Sequence, residues 1–84
     1  MKTVAIDFRD FREKNEVHDY LKSRFAFPDY YGANLDALYD LLTEPGGEMN
    51  VLVLGENPPL SDGFLSVFRD AAAFNPKFTY AVKK

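Results

Sequence analysis

Three short β-prone runs, each separated from the next by helically patterned sequence, restrict this chain to an α/β fold. The runs lie over 3–8, 51–54 and 78–82. The second, Val51-Leu52-Val53-Leu54, is apolar without a break, which is the pattern of a central strand covered on both faces. Two helical stretches separate the first run from the second, and one separates the second from the third. Helical crossovers return the chain in the same direction. The expected architecture is therefore a three-stranded parallel sheet, order 1-2-3, with helices packed on it. One domain spanning 1–84 is expected. A chain of this length buries only about 60–65% of its unfolded surface and has little room for a deep cofactor cavity.

Local punctuation gives the expected helix ends. Asn15 can cap a first helix to about Arg24, with Val17, Tyr20 and Leu21 on one side. Asn34 can cap a second, from Leu35 to about Glu44, stopped by Pro45. Ser61 or Asp62 can cap a third to about Phe74, with Phe64, Leu65, Phe68, Ala71 and Ala72 in one stripe. The proline-rich connection over 55–62 is short, so any further helix there is missing or reduced to one turn.

Composition removes several classes of function. There is no cysteine, which excludes a disulfide scaffold, a cysteine metal site and a thiol nucleophile. No apolar run approaches the ~20 residues that cross a bilayer. The start reaches Asp7 too soon for a signal peptide, so a cytoplasmic protein is expected. The glycines fit no phosphate-binding motif and the acids no calcium-loop pattern. His18 is the single histidine and is expected to be structural or merely solvated. The chain is therefore expected to be no enzyme and to hold no metal or cofactor.

Charge is distributed unevenly. The net charge is only −3, yet residues 25–68 contain seven acids and no lysine or arginine. Such a stretch repels nucleic acid and attracts cationic surfaces. Within it lies the helix of 35–44. At about 100° per residue from Asp36, the leucines at 35, 38, 41 and 42 fall between about 140° and 260°. Asp36, Tyr39, Asp40 and Thr43 fall between about 300° and 40°, on the opposite, outward side. Asp36 suits the first helical turn, where the helix dipole favours an acid. Asp40 has no such reason, and a like-charge pair one turn apart costs about 0.2–0.5 kcal/mol. Tyr39, placed in water between them, has the character of an interface anchor. In the approach, Pro28 stiffens the chain and Gly32 is expected to supply a backbone turn that other residues resist. Of the adjacent Tyr30 and Tyr31, at least one is expected to be displayed.

The run Phe27-Pro28-Asp29-Tyr30-Tyr31-Gly32-Ala33-Asn34-Leu35-Asp36-Ala37-Leu38-Tyr39-Asp40 resembles the signature of the barstar family of ribonuclease inhibitors. Val67-Phe68-Arg69-Asp70 resembles that family's Val-Phe-Arg-Glu, and His18 falls in register. The resemblance implies a parallel three-stranded sheet packed with helices. It also implies an inhibitor that plugs the cationic active site of a small secreted ribonuclease. Carried over by position, Tyr30, Asp36, Tyr39 and Asp40 form the inhibitory face. Thr43 shares their outward side, Asp70 lies at the edge, and Gly32 and Asn34 shape the approach. The sequence has Tyr39 where the family often has Trp, Asp70 in place of Glu, and no aromatic in the loop 45–48. The implied partner is a basic ribonuclease of the extracellular type, bound by a free monomer that engages neither nucleic acid nor membrane directly. The alternative is a binding or immunity module of the same family for another basic protein or toxin nuclease.

Overall fold

The structure, a computed structural model, describes residues 2–44 and 48–83. Its elements are β1 (Lys2–Asp7), a 3-10 turn (Phe8–Asp10), α1 (Lys14–Phe25), α2 (Leu35–Thr43), β2 (Met49–Gly55), α3 (Pro58–Phe74) and β3 (Phe78–Val82). β2 is central and pairs in parallel with both neighbours, giving the order β1-β2-β3. The expected sheet and strand order are thus present.

The core lies on one side of the sheet. Val4, Ile6, Val51, Val53 and Phe78 are buried there against Leu21, Leu38, Leu42, Phe64 and Phe68. The unbroken apolar run in β2 had implied cover on both faces, and this is corrected. Leu52 is half-buried and Leu54 is 40% exposed on the other face, beside the exposed Thr3, Ala5, Thr79 and Ala81. The reason is topological. Consecutive right-handed crossovers that step in one direction across a sheet lie on the same face. Edge strand β1 is secured by α1, whose Tyr20 hydroxyl donates to the Ala5 carbonyl at 2.6 Å.

Two helix starts differ from expectation, each for a local reason. α1 begins after Glu13, not Asn15, because the Glu16 carboxylate accepts the free backbone N–H groups of Arg12 and Glu13 at 2.7 and 3.0 Å. α3 begins after Asn57, a turn before the expected Ser61 or Asp62. Pro58 and Pro59 occupy its first positions, where a missing N–H is harmless and the fixed φ suits the helix. The buried Ser61 hydroxyl then accepts the Asn57 N–H at 3.1 Å. The short connection has become the first turn of α3. The expected stop at Pro45 lies outside the described residues.

Phe68 sits at the centre of the α3 stripe, with Phe78 and Tyr80 ring centroids 5.9 and 6.1 Å away. Phe68→Ala is expected to cost about 3–5 kcal/mol. That is a large share of the 5–15 kcal/mol typical of a whole domain. Urea unfolding of the variant against wild type measures this loss.

Candidate functional site

α2 has nine residues, too few to persist alone in water. It is held at both ends and along one side. The Asn34 side chain accepts the Ala37 N–H at 2.8 Å, the expected cap. At the other end the Asn75 amide, just beyond α3, donates to the Leu42 carbonyl at 3.0 Å. Leu38 and Leu42 are fully buried. With those leucines fixed inward, Asp36 and Asp40 project into solvent.

Neither carboxylate is paired with another described residue. Among the described residues the ion pairs are Asp7–Arg9, Lys22–Asp29 and Arg69–Asp70, and none involves Asp36 or Asp40. The Asp7–Arg9 pair, at 2.7 Å, holds the Asp7 carboxyl down at about 2 through the hydrogen bonds it accepts from Arg9.

The other expected site residues divide. Thr43 is half-buried and its hydroxyl donates back to the Tyr39 carbonyl at 2.8 Å. Tyr39 is also half-buried and packs on the core, which corrects its expected placement in water. Its wheel position is only about 40° from Leu35, whose side chain lies against Gly63 of α3. Asp70 is exposed on α3, with the Arg69 Nε 3.5 Å from its carboxylate.

The approach segment is anchored by Tyr31. Its ring is 8% exposed and packs on Phe27 and His18, with centroids 5.0 and 5.6 Å away. Tyr31 is inward and Tyr30 outward, at 80% exposure, so one of the two tyrosines is displayed, as expected. The role expected of Gly32 is corrected. The left-handed residue is Ala33, at φ 52°, whereas Gly32 has no positive φ. Gly32 is instead a close-approach position. A Cβ there would meet the Asn34 Nδ2 at 3.1 Å, and that amide donates to the Gly32 carbonyl. Packing of the approach thus holds the cap of α2.

A shallow pocket of about 200 Å³ lies between the approach and α2, lined by Tyr30, Tyr31, Gly32, Ala37, Asp40, Leu41 and Glu44. Glu44 was not among the expected site residues. Its position, one further i, i+4 step from Asp40, was the available signal. Among the described residues no group of three potential ligands could hold a metal ion, and no helix is long and apolar enough to cross a membrane.

The fold and site define an α/β protein with a one-sided parallel sheet and a displayed acidic helix. The family model described as "Barstar (barnase inhibitor)" matches residues 1–82. The chain is also 46% identical over 70 residues to "Putative ribonuclease inhibitor YrdF" of Bacillus subtilis (strain 168), covering 83% of this chain and 76% of that protein. The chain belongs to the barstar family.

His18 supports this site from below. It is buried against Phe64 and Tyr31, and burial pushes its ring below the ordinary histidine value, while Asp19 opposes this and Lys14 adds to it. Burial likewise pushes the Tyr31 phenol up to about 12, so it stays protonated, and its hydroxyl shares a short hydrogen bond with Nδ1 of the His18 ring at 2.5 Å. A histidine held neutral in the fold binds protons more readily when unfolded. Its contribution is complete above the unfolded value near 6.5 and is lost as pH falls below it. Stability from urea unfolding is therefore expected to decline from pH 7 to 5.5, above the range of the carboxylates, and His18→Gln is expected to flatten that slope.

Proposed function

We propose that this protein inhibits a small cationic ribonuclease of the extracellular type by laying α2 and its approach across the active site. The observation that carries the reading is the exposure of Asp36 and Asp40, unpaired among the described residues, within a stretch free of lysine and arginine. A ribonuclease must hold a phosphate and therefore gathers Arg, Lys and His at its active site. In this reading Asp40 takes the phosphate position and accepts paired hydrogen bonds from a guanidinium, while Asp36 meets a second cation. Tyr30 covers the site and excludes water, which strengthens the charge pairs. Asp70 and Thr43 meet the rim, Tyr39 gives the acidic side a firm base, and Gly32 and Asn34 fix the approach. The protein acts as a cytoplasmic monomer, without cofactor and without catalysis of its own. Membership of the barstar family and similarity to a protein named as a ribonuclease inhibitor support the assignment.

The test is RNA cleavage by a panel of small microbial ribonucleases with and without a stoichiometric amount of the protein. Inhibition of at least one enzyme is expected. Asp40→Ala is expected to weaken it at least about 30-fold, equivalent to about 2 kcal/mol. Asp36→Ala acts in the same direction. The fold should not suffer, because Asp40→Ala relieves a like-charge pair and is expected to raise stability by up to about 0.5 kcal/mol. Added salt should slow association more than it speeds dissociation. Unchanged cleavage across the panel would refute the ribonuclease reading and favour a different basic protein as the partner.

A further inference from the structure

Two large aromatic side chains stand in solvent, Tyr30 at 80% and Phe74 at 69% exposure. Tyr30 belongs to the approach already described. Phe74 is the last residue of α3 and has no role in the core. An isolated exposed apolar residue on a surface needs no explanation, so the position of Phe74 must decide the matter.

That position is fixed by the way α3 meets α2. At the start of α3, Gly63 faces α2 so closely that a Cβ on it would lie 3.1 Å from the Leu35 Cδ1. On a helical wheel Val67, Asp70 and Phe74 all fall within about 40° of Gly63. Phe74 therefore lies on the same side of α3 as Gly63, one turn beyond the exposed Asp70, where that side is open to solvent. The next residue, Asn75, reaches the Leu42 carbonyl at the end of α2. Helical side chains lean toward the N-terminus, so the Phe74 ring leans back along this side toward Asp70.

On α2 the pocket residues Ala37, Asp40, Leu41 and Glu44 lie at about 40–140° from Asp36, and Leu35, which meets α3, lies at about 260°. The approach and α3 thus flank opposite sides of the Asp36/Asp40 ridge. Tyr30 stands on one flank and Phe74 on the other. Leu54, the other exposed large apolar side chain among the described residues, is on the open face of the sheet and belongs to neither.

We propose that Phe74 is a second apolar anchor of the partner-binding surface, seating in an apolar depression beside the cationic active site of the ribonuclease. The proposal rests on the ribonuclease-inhibitor reading and deepens it. Charge pairs at an interface gain strength only where water is excluded around them. Tyr30 closes one flank of the acidic ridge. On the other, Tyr39 is turned half inward and Thr43 is engaged with its own helix, which leaves Phe74 to close it. The partner is accordingly a basic protein whose cationic cleft has an apolar spot on one rim.

Association and dissociation rates with the ribonuclease that the wild type inhibits, at low and high salt, test this in Phe74→Ala, Phe74→Leu and Asp40→Ala, with thermal unfolding of each. Phe74→Ala is expected to speed dissociation about 10-fold. Its association rate, salt dependence and melting temperature should stay those of wild type. Phe74→Leu should restore most of the loss. Dissociation of Phe74→Ala at the wild-type rate, with Asp40→Ala impaired, would overturn the anchor and leave the inhibitor reading standing. A fall in melting temperature that tracked the lost affinity would assign Phe74 to the fold and overturn it too. Wild-type behaviour of both alanine variants, or no ribonuclease inhibited at all, would remove the inhibitor reading and the anchor together.

Discussion

The rest of the structure depends on the immobilisation of a nine-residue helix. α2 is too short to persist on propensity alone, so its stability comes from Leu38 and Leu42 in the core and from the asparagine side chains at its two ends. The clamp fixes rotation as well as position. With two leucines sealed inward, the helix cannot turn its carboxylates toward the protein's own bases. Among the described residues the charges stay unpaired because the apolar side is committed.

The same clamp extends into the approach. Tyr31 is inserted between Phe27 and His18, which displays Tyr30 and draws Gly32 against the Asn34 cap. His18, Tyr31, Asn34 and α2 therefore form one mechanical series from the base of the core to the acidic ridge. A neutral histidine at its foot is compatible with a buried phenol, whereas a charged one would have to be desolvated there. A surface made of like charges costs the free protein a little stability, as functional sites commonly do. Rigid support keeps that cost from being relieved by rearrangement.

The barstar family gives this arrangement a setting. The sheet contributes only a floor, covered on one face, and the display is made by the helices above it and by one loop. Such a division leaves the display open to change without loss of the core. Tyr39, half-buried here, shows how closely the two are joined, since a side chain on the outward arc still rests partly on the core.

Much was legible in the sequence because it depends on near neighbours along the chain. The strand–helix order, the Asn34 cap, the Leu38/Leu42 side and the Asp36/Asp40 pair all follow from spacing and residue type. Where local signals competed, residue type alone did not decide the outcome. Proline at the start of α3 outranked Ser61 as a helix signal, and Ala33 took the backbone turn expected of Gly32. What only the tertiary structure decided depends on which elements touch. The open face of the sheet follows from both crossovers lying on one side. Tyr39 is half-buried because it packs against the core beside the flank where Leu35 meets α3, and the exposure of Phe74 likewise depends on how α3 is seated. Periodicity tells a helix which of its sides is apolar. It carries no information about the neighbour that will cover the margins of that side, because the contact is made between residues far apart in the chain.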